Sequence, residues 1–193
     1  MRDRPRAAGL AWAGAVAFLC GCAAAPQPPP AGSGAPPAPL AARPGAADSA
    51  LEQLSAFERA LFLGLNRIRR ERSLPALTLR ADLVAMARAQ SRHMSRQGRL
   101  THTGSDADSL EDRAAAASVN YLKIAENIAR NCGYADPADR ALRTWMASRG
   151  HREIMLRPRY DETGVGVVFS WPSGTYYLTQ VFCLRKRPRP MTP

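Results

Sequence analysis

A proline- and alanine-rich segment limits how much of this chain can fold. Residues 23–47 hold eight of the 16 prolines in the 193-residue chain and contain no aromatic residue. Such a segment cannot bury enough apolar surface to offset its conformational entropy, so we predict that residues 22–47 form an extended tether. The folded domain is predicted over residues 48–185, followed by a basic, proline-rich tail over residues 186–193.

The residues before the tether have the pattern of an export signal. Three arginines within the first six residues precede an apolar run over residues 7–19. A helix that spans a bilayer needs about 20 apolar residues, which is more than this run provides. A basic start followed by a short apolar run is typical of a signal peptide.

The end of that signal resembles a bacterial lipobox. Leu19 is followed by Cys20, Gly21 and Cys22, which implies a lipoprotein signal peptide over residues 1–21 and lipidation of Cys22. Ala23 is not the aspartate associated with retention in the inner membrane, so the resemblance implies a lipid anchor in the bacterial outer membrane, with the domain in the periplasm or at the cell surface. An ordinary cleaved signal or a simple membrane anchor is the alternative.

The chain is strongly basic, and its cations are almost all arginine. Its formal net charge is +11, and only two of the 27 cationic residues are lysines. Such a charge can indicate a nucleic acid or an anionic surface as partner, or it can reflect a GC-rich genome that encodes arginine in place of lysine. No basic patch interleaved with aromatic residues accompanies it, so we expect no nucleic-acid partner.

Hydrophobic periodicity predicts an α+β domain. Helical spacing begins at a capping box formed by Ser49 and Glu52 and ends before Pro75. Further helices are predicted over residues 80–97, over residues 108–118 and from residue 136 onward, and strands over residues 121–128, 165–169 and 175–183. We expect the helices to pack on both faces of a small antiparallel sheet.

Two of the three histidines lie on short polar motifs flanked by apolar runs. His102 follows Leu100 and Thr101, and His151 follows Trp145 by six residues. An acid, Glu126, lies between the two histidines in sequence. Imidazole is the side chain whose charge and ligand chemistry are most easily used near neutral pH, so we predict that the two histidines share one cleft.

These motifs, taken in order, resemble the CAP superfamily of cysteine-rich secretory, antigen-5 and pathogenesis-related-1 proteins, in its bacterial SCP-domain branch. The resemblance spans residues 57–182. The matching elements are Asn66 to Arg69 with Leu74 and Leu77, Thr101-His102, Ala125 to Ile128, Trp145 to Arg152, Gly164 to Gly166, and Tyr177, Gln180 and Phe182. The resemblance implies a three-layer α-β-α sandwich.

The resemblance also implies a cleft lined by His102, His151 and Glu126, in which some family members bind zinc or another divalent ion. Asn127, Ser148 and Arg152 are the expected neighbours of that cleft. Many eukaryotic members have a second acid where this chain has Ser148, so the ligand set is incomplete here. Two imidazoles hold zinc weakly, and we expect the binding to fade below about pH 6.5 as they protonate. Alternatively, both histidines are hydrogen-bonding parts of the cleft that hold no metal.

Three functions fit these residues. The sequence favours a binding module for a lipid-like or envelope ligand, such as anionic phospholipid or lipopolysaccharide, with a divalent cation as an organiser. A metal-dependent hydrolase with Glu126 as the candidate catalytic base, and a scaffold with a vestigial cleft, are the alternatives. The missing second acid argues against an enzyme, and the sequence does not indicate an oligomeric state.

Cysteine usage predicts a disulfide. With Cys20 removed and Cys22 lipidated, Cys132 and Cys183 remain. An even pair in an exported domain favours a bridge between them. Two buried free thiols are the alternative.

Overall fold

A computed structural model describes residues 51–106 and 108–186. The predicted signal peptide, Cys22, the tether and residues 187–193 of the predicted tail lie outside these residues. No helix in the described ranges is long and apolar enough to cross a membrane.

Five helices and four strands make up the described chain. They are α1 (Ala56–Arg70), β1 (Thr78–Leu79), α2 (Ala81–Gln97), α3 (Leu110–Ala116), β2 (Tyr121–Cys132), α4 (Pro137–Ala147), α5 (Arg149–Met155), β3 (Glu162–Ser170) and β4 (Thr175–Arg185).

The sheet has the strand order β1-β3-β4-β2. Strands β3 and β4 form an antiparallel hairpin, and β2 pairs antiparallel with β4 along its whole length. The predicted antiparallel sheet is confirmed for these three strands. The two-residue strand β1, which was not predicted, adds a parallel pairing beside Glu162 and Thr163, so the sheet is mixed.

Helices cover both faces of the sheet, which confirms the α-β-α sandwich. Successive side chains of a strand point to opposite faces. On β4, Leu178 and Phe182 belong to the core cluster that includes α1 and α4, whereas Val181 belongs to the cluster formed with α2 and α3. Helix α2 lies so close to β3 that a Cβ atom added at Gly164 would be 2.1 Å from a backbone carbon of Leu83.

Several predicted helix ends differ from the observed ones. Ser49 lies outside the described residues, and α1 begins later, at Ala56, because Ser55 and Glu58 form the capping box that starts it. Helix α2 ends where predicted, at Gly98, whose φ of 65° is the left-handed conformation that glycine adopts readily. Helix α5 was not predicted as a separate element.

The predicted disulfide between Cys132 and Cys183 is wrong, and both thiols are free. Cys183 pairs with Ile124 near one end of β2, whereas Cys132 ends that strand beside Thr175. Eight residues of extended strand separate these positions, or about 26 Å, far more than a disulfide can bridge. Cys132 is exposed, and burial raises the pKa of the Cys183 thiol to about 11.

Candidate functional site

The predicted site residues lie around β2, which forms one edge of the sheet. Glu126 pairs with Val181 and Asn127 pairs with Gln180. Because adjacent strand residues face opposite ways, Glu126 faces the layer of α2 and α3, and Asn127 faces the layer of α1 and α4. Each of these two side chains holds one of the segments that carry the predicted histidines.

Glu126 positions His102 from the α3 side. One carboxylate oxygen of Glu126 lies 3.0 Å from Nδ1 of His102. Arg113, on α3, donates to both carboxylate oxygens of Glu126 at 3.0 and 3.2 Å, and also to the backbone carbonyl of His102 at 3.0 Å. The three residues therefore form a closed triangle that fixes both the ring and the backbone of His102.

The hydrogen bond to Glu126 assigns the tautomer of a neutral His102. A carboxylate only accepts, so Nδ1 must carry the proton and Nε2 keeps its lone pair. The side chain of Glu126 is 2% exposed, whereas that of His102 is 60% exposed. A buried acid thus orients an imidazole that remains open to solvent.

His151 approaches the same edge on α5. Ser148 precedes the first residue of α5, and its Oγ lies 2.8 Å from Nδ1 of His151. The side-chain amide of Asn127 donates to the backbone carbonyl of His151 at 3.2 Å. Burial of the ring lowers the pKa of His151, and the charge of His102 lowers it further.

A fully buried arginine holds the segment that follows α5. The guanidinium of Arg69, on α1, donates to the backbone carbonyls of Met155, Arg157 and Tyr160 at 2.8, 3.2 and 3.4 Å. It also donates to the carbonyl of Pro75 at 2.9 Å. Burial lowers the pKa of Arg69. The three bonds to Met155, Arg157 and Tyr160 fix the end of α5 and hence the position of His151 beside β2, and the bond to Pro75 holds the loop before β1.

The structure assigns different tasks to the predicted site residues. His102 contacts Glu126 directly, whereas Asn127 and Ser148 both contact His151. Arg152 donates to the carbonyl of Met146 at 2.9 Å, which links α5 to α4. Within residues 51–106 and 108–186, no group of three His, Cys, Asp or Glu side chains is placed to hold a metal ion.

Arg113 is the functional residue that the sequence analysis missed. It lies on a short helix outside the quoted motifs, and no spacing rule connects it to Glu126, 13 residues later. The only available signal was chemical, because a carboxylate buried in a strand needs a cationic or donor partner.

Comparisons with known proteins agree on one family. The matching family model is described as the cysteine-rich secretory protein family, CAP, and it covers residues 64–182. The Bacillus subtilis protein YkwD is 31% identical over 122 residues, which is 63% of this chain and 46% of that protein.

Two solved structures are similar in fold. An extracellular protein of Bacillus anthracis that contains an SCP domain has a TM-score of 0.60 at 26% identity, over 75% of this chain and 45% of that one. An outer surface protein of Borrelia burgdorferi has a TM-score of 0.61 at 18% identity, over 67% of this chain and 93% of that one. The chain spans about half the length of YkwD and of the Bacillus anthracis protein.

Proposed function

The chain belongs to the cysteine-rich secretory protein (CAP) family, and from that premise we propose that it is a binding module of the bacterial cell envelope. In this proposal His102 and His151 hold a divalent cation weakly, and the cleft around them binds a lipid-like or other anionic envelope component. The lipid anchor at Cys22 in the outer membrane remains part of the same proposal.

The observation that carries the proposal is the way His102 is held. A carboxylate that orients an imidazole through Nδ1 is the usual outer partner of a metal-binding histidine, since it fixes the ring and makes Nε2 more basic. Here the ring so oriented is 60% exposed. The lowered pKa of His151 supports the proposal too, because a metal binds only the neutral form of imidazole.

The donor set fits a weakly held ion. The two imidazoles would supply the protein ligands, and Glu126 would not be a third, because its oxygens already accept from Arg113 and His102. A zinc ion with two protein ligands keeps positions for exchangeable ligands, so a bound ion would offer Lewis-acid contacts to the phosphate or carboxylate of a ligand.

The basic net charge of the chain supports an anionic envelope ligand, and a similar protein supports a location outside the cytoplasm. The net charge of the whole chain is +11, and it is still +9 without the three arginines and one aspartate of residues 1–21, which favours anionic partners such as phospholipid head groups or lipopolysaccharide. The similar Bacillus anthracis protein is described as extracellular, which agrees with the export signal predicted for this chain.

The same contacts argue against a hydrolase. A general base must be able to reach the proton that it removes. Glu126 is 2% exposed and both of its oxygens are bound by Arg113. We therefore assign Glu126 a positioning role and expect no turnover of ester or amide substrates.

Calorimetric titration of the full chain with Zn²⁺ tests the proposal. We expect His102→Ala and His151→Ala each to weaken the affinity at least about tenfold. Cys132→Ser is the matched control, because Cys132 is an exposed zinc-binding side chain outside the site, and it should leave the affinity unchanged. Unchanged affinity in either histidine variant would overturn the assignment of the ligands.

A second titration tests the ligand, using vesicles that contain phosphatidylglycerol with and without Zn²⁺. We expect the histidine variants to lose the zinc-dependent part of the binding. Zinc-dependent ester hydrolysis that is lost in Glu126→Gln would instead favour the hydrolase.

A further inference from the structure

The most exposed large apolar side chain among the described residues lies at the tip of the β3–β4 hairpin. Trp171 is 82% exposed. Its ring stacks edge-on against Phe169 with 4.8 Å between the centroids, and Phe169 in turn contacts Tyr176 at 4.6 Å. Tyr176 packs against Phe57 of α1 at 5.2 Å. A chain of aromatic contacts thus supports Trp171 from the body of the domain.

A group of arginines without partners lies near that tip. Arg92, Arg96 and Arg99 are exposed, and within the part of the chain that the structure describes they make no hydrogen bond or ion pair. Arg88, one turn before Arg92, forms an ion pair with Glu58, with 2.7 Å between a guanidinium nitrogen and a carboxylate oxygen. Residues four apart share a helix face, so Arg92 and Arg96 lie on the same face of α2 as Arg88, closer to the end of the helix. Unlike Arg88, neither has a counter-ion among the described residues.

The strand register places the C-terminal end of α2 and Trp171 at one end of the domain, whereas Arg92 lies further from the tip, because the adjacent Ser91 donates to the carbonyl of Gly166 at 2.9 Å. Arg130, Tyr177 and Val168 lie side by side across β2, β4 and β3. Arg130 donates to the carbonyl of Gly98 at 3.4 Å, so the end of α2 lies at the same level. Trp171 follows Val168 by three residues, or about 10 Å along the strand.

Tyr134 adds a second aromatic side chain at this end. It is 46% exposed and lies two residues beyond Cys132, which pairs with Thr175 beside the hairpin turn. The guanidinium of Arg140 stacks over its ring, 4.7 Å from the centroid. We call the surface formed by Trp171, Tyr134, Arg92, Arg96 and Arg99 the hairpin end.

We propose that the hairpin end docks onto an anionic lipid surface, with Trp171 and Tyr134 at the level of the head groups and the three arginines on the phosphates. Tryptophan and tyrosine favour the membrane interface because each combines a large apolar ring with a polar atom. Unpaired arginines beside them add attraction to anionic lipid. This docking is separate from the histidine site and does not require a metal ion.

Fluorescence quenching in vesicles tests the docking on the full chain. The chain is reconstituted into brominated phosphatidylcholine vesicles with or without phosphatidylglycerol, and the emission of Trp171 is obtained by subtracting the spectrum of Trp171→Phe. Trp145 contributes equally to both spectra and cancels, and Trp12 does the same in any molecule that keeps residues 1–21. We expect quenching of Trp171 in the anionic vesicles and little in the zwitterionic ones, even if the chain is anchored to both.

Charge-neutral variants locate the contact. Arg92→Gln with Arg96→Gln should lower the ratio of docked to undocked protein roughly 30-fold, since each arginine near an anionic surface contributes about 1 kcal/mol, or about fivefold. Arg70→Gln with Arg159→Gln is the matched control, because it removes two exposed arginines near the other end of the sheet whose side chains make no hydrogen bond or ion pair with the described residues. That pair should change the ratio by less than about threefold.

Three results would overturn the proposal. The first is no quenching of Trp171 in anionic vesicles that hold the protein. The second is an equal loss in both arginine pairs, which would mean attraction by net charge alone. The third is a dimer in sedimentation velocity that Trp171→Phe abolishes, which would assign the hairpin end to a second copy of the chain.

Discussion

The two histidines of the site are held in different ways. His102 receives its orientation from Glu126, 24 residues away in sequence, and that carboxylate is fixed by Arg113 on another helix. His151 receives its orientation from Ser148, three residues earlier and immediately before the same short helix. The first arrangement is tertiary and charged, and the second is local and neutral.

This difference separates what each histidine depends on. The geometry of His102 depends on one buried ion pair, which can be removed with a single substitution. The geometry of His151 depends on the placement of the whole of α5, which Asn127 and Arg69 hold through backbone carbonyls. We call His102, Glu126 and Arg113 the His102 half of the site, and α5 with Ser148 and Asn127 the His151 half. A substitution that disturbs one half should therefore leave the geometry of the other largely intact.

Arg69→Met should have the largest effect on stability and should act on the His151 half. It removes the donors to four carbonyls, those of Pro75, Met155, Arg157 and Tyr160. Each orphaned acceptor in the interior costs on the order of 1 kcal/mol or more, so we expect the free energy of unfolding to fall by about 4 kcal/mol. Urea denaturation measures it.

The region that loses protection from hydrogen exchange distinguishes the loss of these hydrogen bonds from a general loss of packing. Amide hydrogen exchange should increase over residues 149–160 while protection of β2 near Glu126 remains. Arg69→Lys is the conservative control and should restore part of the stability, because an ammonium keeps fewer of the four bonds. Equal stability of Arg69→Met and the parent chain would contradict the proposed role.

Glu126→Gln should have the second largest effect and should act on the His102 half. Removing one partner of a buried ion pair leaves Arg113, which is 11% exposed, without its counter-ion. We expect a loss of about 3 kcal/mol in the free energy of unfolding. Nitrogen NMR of the rings should show a change of tautomer at His102 and none at His151.

A double variant sharpens this second comparison. Glu126→Leu with Arg113→Met removes both charges, and buried ion pairs replaced by apolar residues are often neutral in stability. Stability should therefore recover while the ordered tautomer of His102 does not. If Glu126→Gln disturbs both histidines equally, the two halves are not independent.

The parts of the fold that could be predicted from the sequence are those determined by interactions between residues close together in the chain. The end of α2 at Gly98 follows from glycine chemistry, and the start of α4 follows from Asp136, whose side chain accepts from the first turn. The antiparallel strands follow from β-rich runs on either side of a turn. In each case, residues within a few positions of each other determine the structure.

The predictions that were wrong or missing concern features that depend on tertiary structure. Nothing near Cys132 or Cys183 in sequence reveals that β2 and β4 set them at opposite ends of the sheet, so the even count of cysteines misled the prediction. Likewise, the short strand β1 forms because Asn66 binds both backbone groups of Leu77, at 2.8 and 3.0 Å, and aligns the next residues with β3. The motif containing Asn66 is visible in the sequence, but spacing does not reveal that Leu77 is the residue it binds.

The smallest of the three effects concerns the charge of His151. Burial and the neighbouring His102 lower its pKa in the folded chain, whereas in the unfolded chain the value is about 6.5. Between these two values the unfolded chain binds more protons, so the free energy of unfolding must fall as the pH decreases through about 6.5 and level off below the folded pKa. Urea denaturation at a series of pH values should show this decline, and His151→Gln should remove that part of it.

Ser148→Asp tests whether the neutral partner is the reason that the two halves differ. A carboxylate three residues before His151 would favour the protonated ring and raise its pKa toward or above the unfolded value. The decline in stability near pH 6.5 should then shrink or reverse, and NMR titration of the ring should report the shift directly. Ser148→Asn, which places a neutral acceptor at the same position, should keep the parent behaviour. If Ser148→Asp leaves the titration of His151 unchanged, burial alone controls that ring and Ser148 does not determine its charge.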